Sequence, residues 1–168
     1  MRRLVIVIPV LGIFAAVAVP VTRYVLKQRH EQTALDVVED VRAAQERFRR
    51  GTGGYASDVA SLVTQCPGQD AVLAAGRLDD LRGAGYALTL SAESVEPQMS
   101  RDCHGRAVVP GYFLTAVPVA AEEAAQQAFA ARASGDVVVF YDGVAPRPAD
   151  IAAGLATPAA ERNTFKIP

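Results

Sequence analysis

Leu4-Val-Ile-Val-Ile-Pro-Val-Leu-Gly-Ile-Phe-Ala-Ala-Val-Ala-Val-Pro-Val21 is the stretch that decides the fold. It runs for about 18 residues without a charge, roughly 27 Å of helix, enough to reach across bilayer hydrocarbon. It leads into an amphipathic pattern with no turn-rich break between them. The apolar positions there are Val25, Leu26, Ala34, Val37, Val38, Val41, Ala44 and Phe48. From Ala34 on, steps of three and four dominate, the mark of one helical stripe. Asp36, Glu39, Asp40, Arg42, Gln45, Glu46, Arg47 and Arg49 are read onto the other face. The basic residues Arg47, Arg49 and Arg50 come last, which suits the helix dipole. Gly51, Gly53 and Gly54 mark the stop. The pattern predicts one helix of about 45 residues, on the order of 70 Å long. Pro9 and Pro20 each remove a backbone hydrogen bond, so bends are expected near them.

Working outward, Arg2 and Arg3 precede the run, while Arg23, Lys27 and Arg29 follow it, so charge alone does not fix an orientation. A cleaved signal peptide is the rival to an anchor, with Ala16-Val17-Ala18 as a small-x-small site. The uninterrupted helical continuation favours a retained anchor. The expectation is a single-pass membrane protein with its head outside the cytoplasm. The implied organisation is an anchor over residues 1–22, a stalk helix over 23–52 and a globular head over 53–168.

The head is small, with room for one domain. Its large fillers are Tyr55, Tyr86, Tyr112, Phe113, Phe129, Phe140 and Tyr141, joined by Phe48 from the stalk. Residues 55–63 predict a short helix capped by Ser57 or Asp58. Residues 70–81 predict another helical piece, and residues 82–85 a turn. Alternation predicts a strand over 86–91, with Tyr86, Leu88 and Leu90 on one side. Residues 111–119 and 136–141 predict two more strands. The alanine- and glutamate-rich residues 120–133 predict a helix, and the tail from 145 on, with four prolines, predicts loop with at most a short helix. The fold class is therefore α+β: a long N-terminal helix, membrane half plus amphipathic half, packed on a small antiparallel sheet of about three to four strands.

The formal net charge is −1, which gives no electrostatic case for nucleic acid as a partner. Two cysteines are present, Cys66 and Cys103, at no metal-type spacing. An exported head favours a bridge between them, and two separate thiols packed as small hydrophobes are the alternative. No catalytic constellation emerges. His30 lies on the charged stalk face. Asp102-Cys103-His104 offers adjacent groups with no orienting partner. Residues 50–54 lack the lysine and spacing of a phosphate loop. Glu122 and Glu123 diverge by about 100° on a helix. No enzyme activity, cofactor or metal is expected.

The run Leu11-Gly-Ile-Phe-Ala-Ala-Val-Ala-Val-Pro20 resembles the hydrophobic segment of the type IV pilin and type II secretion pseudopilin family. Gly53-Gly54-Tyr55 after the stalk is similar to that family's Gly-x-Tyr lead-in to the head. Residues 112–118 and 139–143 look like its strand motifs. The resemblance implies a structural subunit that polymerises through its N-terminal helix, with Leu4, Pro9, Gly12, Phe14 and Pro20 as assembly positions. It implies a single-pass place in a bacterial inner membrane, head in the periplasm or at the cell exterior, with other pilin-like subunits, an inner-membrane assembly platform and the membrane as partners, in a pilus or in protein transport. Arg3 stands where the family has a glutamate, and no basic leader ending in glycine precedes the run. The implied member is thus divergent, or its start lies further upstream. A membrane-anchored or secreted periplasmic binding domain with no filament role is the alternative.

Overall fold

A computed structural model describes the backbone of residues 4–64, 66, 70–93, 100–119, 127–135, 137–140, 146–148 and 157–158. Side chains are described within these ranges from Thr22 on, those of Thr157 and Pro158 excepted. One helix, α1, spans Leu4–Thr52. It continues through Pro9 and Pro20 without interruption. It stops where Gly53 takes φ +84° and donates its N–H to Arg49 O at 2.8 Å. A left-handed residue just past the last turn is the position that favours glycine. Gly54 serves a different purpose. A Cβ there would lie 2.6 Å from Val108 Cγ1 and 2.9 Å from Val109 O.

That close approach lets β1 (Tyr55–Ala56) pair antiparallel with β3 (Val108–Val109). The expected helix over 55–63 is therefore shortened to α2 (Val59–Val63), because its first residues are drawn into a ladder. Asp58 caps α2, its carboxylate accepting from Ser61 N–H at 2.8 Å. The second helical piece is α3 (Gly76–Gly83).

The larger sheet is an antiparallel array of β2 (Tyr86–Ala92), β4 (Tyr112–Pro118), β5 (Ala128–Arg132) and β6 (Val138–Phe140), with β7 (Thr157–Pro158) at its far edge. The strands expected over 86–91, 111–119 and 136–141 are found as β2, β4 and β6, the last shorter within the described residues. The helix expected over 120–133 does not hold at its C-terminal end, since Ala128–Arg132 is a strand. Residues 120–126, with Glu122 and Glu123, lie outside the described residues. Alanine favours helix intrinsically, but Ala128, Ala130 and Ala131 are fully buried between β4 and β6. Small residues fit a central strand flanked on both sides, and that tertiary demand outweighs local preference. The tail contributes β7 where loop was expected.

Inward positions match from strand to strand. Leu88 faces Ala116, Leu90 faces Leu114, Leu114 faces Ala131, and Phe129 faces Val139. These side chains share one core with Ala34, Val37, Val38, Val41, Ala44 and Phe48 of α1. The apolar stripe of the helix is thus covered by the head. Each fully buried valine there contributes about 1.5–3 kcal/mol relative to exposure.

One expectation is overturned. Among the described residues, no helix is long and apolar enough to cross a membrane. Placement as a single-pass inner-membrane protein is not supported. From Thr22 on, Arg23, Lys27, Arg29, Glu31 and Asp36 place charges along the helix, and each is costly in hydrocarbon.

Candidate functional site

The functional candidate is α1 itself, and it divides by environment. From Thr22 to Arg29 nearly every side chain is exposed, Tyr24 at 61%, Val25 at 41% and Leu26 at 51%. From Ala34 on, the stripe is sealed. Over these two turns the helix is largely solvent-exposed, with Lys27 half-buried. Leu4, Pro9, Gly12, Phe14 and Pro20 belong to the same helix, further towards its N-terminus. Their side chains are outside the described residues.

The grip on the other half is specific. Gln45 is fully buried. Its Nε2 donates to Ala56 O at 3.0 Å, and Ala56 N–H donates to Gln45 Oε1 at 2.8 Å. A side-chain amide thus stands in for a strand neighbour and satisfies both backbone groups of β1. This corrects the placement of Gln45 on the polar face. Its spacing was informative: four after Val41 and three before Phe48 puts it on the stripe, and only its polarity argued otherwise.

Beside it, Tyr55 OH donates to Glu46 Oε1 at 3.0 Å, and Arg49 binds Glu46 Oε2 at 3.0 Å while sitting 5.8 Å above the Tyr55 ring. Burial pushes the Glu46 carboxyl up, but the Tyr55 hydrogen bond and Arg49 together outweigh it, leaving it below the ordinary value. Burial, then the Glu46 carboxylate, raises the Tyr55 phenol. Tyr112 packs edge-on against Tyr55 at 5.1 Å, and burial lifts its hydroxyl far above the ordinary phenol range, with Arg42 opposing. Three ties brace the helix laterally: Arg77 to Asp40, Arg47 to Val72 O at 2.7 Å, and Gln127 N–H to Glu31 at 3.3 Å. These groups join helix to head and do not converge on a reactive point.

Cys66 and Cys103 form a disulfide, with Cα atoms 5.9 Å apart and a sequence separation of 37. Cys103 is exposed and Cys66 half-buried, so neither packs as an inert core thiol. His104 sits beside them, exposed. His30 is half-buried on α1. An open groove of about 590 Å³ runs between Val25, Gln32 and Leu35 of α1 and, across from them, Phe129 of β5 and Gln127 just before it.

No family model matches this chain, and neither does any curated protein or solved structure.

Proposed function

We propose that this chain is a structural, non-enzymatic subunit of a pilin-like filament, polymerising through the N-terminal part of α1. The observation that carries the reading is the single helix Leu4–Thr52, gripped by the head from Ala34 on and largely solvent-exposed over Thr22–Arg29. Burying the apolar run of residues 4–21 among neighbouring helices would drive assembly at roughly 25 cal/mol per Å². The Gly12–Pro20 pattern, similar to that of pilins and pseudopilins, supports the same reading. Partners would be further copies or related pilin-like chains, and a platform that adds them. Arg3 means that the joint forms without the usual carboxylate contact at that position.

The test is sedimentation and negative-stain microscopy of the full chain across concentration. Filaments or large oligomers are expected for the native sequence. Phe14→Asp should leave a monomer with an unchanged melting temperature. A native chain that stays monomeric throughout, or a Phe14→Asp chain that assembles equally well, overturns the proposal.

A further inference from the structure

We propose that reduction of the Cys66–Cys103 bridge converts it, together with His104, into a three-ligand site for a thiophilic divalent cation, with Zn²⁺ as the type. The donor atoms of the three side chains lie within 4.8 Å of one another. In a tetrahedral zinc site with two thiolates and an imidazole, donor atoms stand about 3.5–3.8 Å apart, which follows from the usual metal–ligand lengths. Opening the S–S bond must part the two sulfurs to that spacing, and the His104 imidazole already lies within 4.8 Å of both.

The frame around it does not depend on the bridge. Asp102 is buried, and its Oδ1 accepts from His104 N–H at 2.9 Å and from Arg106 N–H at 2.7 Å. Asp102 N–H donates to Arg106 O at 2.9 Å, Arg101 pairs with Ala107, and Gly105 takes φ +74°. This closed turn presents Cys103 and His104 from consecutive positions. On the other side, Arg106 Nη1 donates to Thr64 Oγ1 at 3.4 Å, and Leu73 N–H donates to Leu62 O at 3.0 Å. The first contact ties the chain just before Cys66 to the turn, and the second closes the segment around Cys66 on itself, both independently of the S–S bond.

The chemistry balances. A thiol or dithiol reductant supplies two electrons and two protons; the S–S bond breaks, two cysteine thiols form, and the reductant leaves as its disulfide. Binding of the cation then releases both thiol protons, so two thiolates and a neutral imidazole nitrogen face a 2+ charge. Water completes four-coordination. Exposure of Cys103 gives the reductant access. The same three residues would thus be a covalent staple in an oxidising compartment and a metal site in a reducing one.

The full chain, reduced with a water-soluble phosphine and freed of excess reagent, is titrated with Co²⁺ and then Zn²⁺. The expected result is one Co²⁺ per chain, with a thiolate-to-cobalt band in the near ultraviolet and tetrahedral bands in the visible, both displaced by Zn²⁺. The oxidised chain should show neither. His104→Ala should keep the fold of the oxidised protein and weaken Zn²⁺ binding by at least about 10-fold. Absence of the band in the reduced chain overturns the proposal. So does equal affinity in His104→Ala, which would mean two thiols acting alone. Equal affinity in denaturing urea also overturns it, since the fold would then contribute nothing.

Discussion

The two halves of α1 share a backbone conformation and differ in almost everything else. Between Ala34 and Phe48 the helix gives its apolar stripe to the sheet, and even a glutamine is enclosed. Between Thr22 and Arg29 comparable side chains face outward, Tyr24 more exposed than Val25 or Leu26. Helicity therefore says little about role. Coverage does. One half is a piece of domain core that happens to be helical, and its stability belongs to the head. The other half is mostly solvent-exposed, and it meets the head only along the groove shared with Gln127 and Phe129.

The sharpest way to break this contrast is to place one charge in each half. Val38→Asp buries a carboxylate where Val38 is fully enclosed, and should cost about 4 kcal/mol or more or prevent folding. Val25→Asp should change stability by less than about 0.5 kcal/mol. Urea denaturation of both variants measures the difference, and similar losses would remove the distinction between the halves. Next in size is the staple. Cys66→Ser with Cys103→Ser opens a loop closed across a sequence separation of 37 and should cost roughly 2–4 kcal/mol by the same assay. Gln45→Ala follows. It leaves both backbone groups of Ala56 without their buried partner and should cost about 1–3 kcal/mol. Amide exchange at Ala56 should accelerate in that variant while β4 and β5 keep their protection.

The smallest effect is alkaline. Tyr112 and Tyr55 hold their phenol protons more tightly in the folded chain than in the unfolded one. Above an unfolded value of about 10, the unfolded chain loses these protons first. The contribution is therefore complete below about pH 10 and declines as pH rises further. Unfolding free energies at pH 8, 9.5 and 11 should fall across the last interval, and Tyr112→Phe should flatten that fall. An equal fall in Tyr112→Phe would assign the effect to other groups.

Much of the architecture was legible because period is legible. The steps of three and four from Ala34, and the alternation from Tyr86, follow directly from helix and strand geometry. β5 was not legible, because Ala128–Arg132 offers little contrast between faces when both are buried. β3 is two residues long and exists only because Gly54 admits it. Gln45 was misplaced because side-chain polarity was weighed above position. The bridge could be proposed from two cysteines, but the nearness of His104 to both sulfurs depends on the turn closed by Asp102. Leu4, Pro9, Gly12, Phe14 and Pro20 share one helix, as the apolar run required.

The length of α1 makes the head a fulcrum. About 30 residues of helix precede the sealed stripe, roughly 45 Å of lever at 1.5 Å per residue. A tilt of only about 10° at Ala34 would swing the far end by about 8 Å, close to the spacing of two packed helices. Small repacking around Val37, Val41 and Gln45 is thus magnified at the tip. Variants that leave the head folded yet loosen this hinge would scatter the tips of otherwise intact molecules.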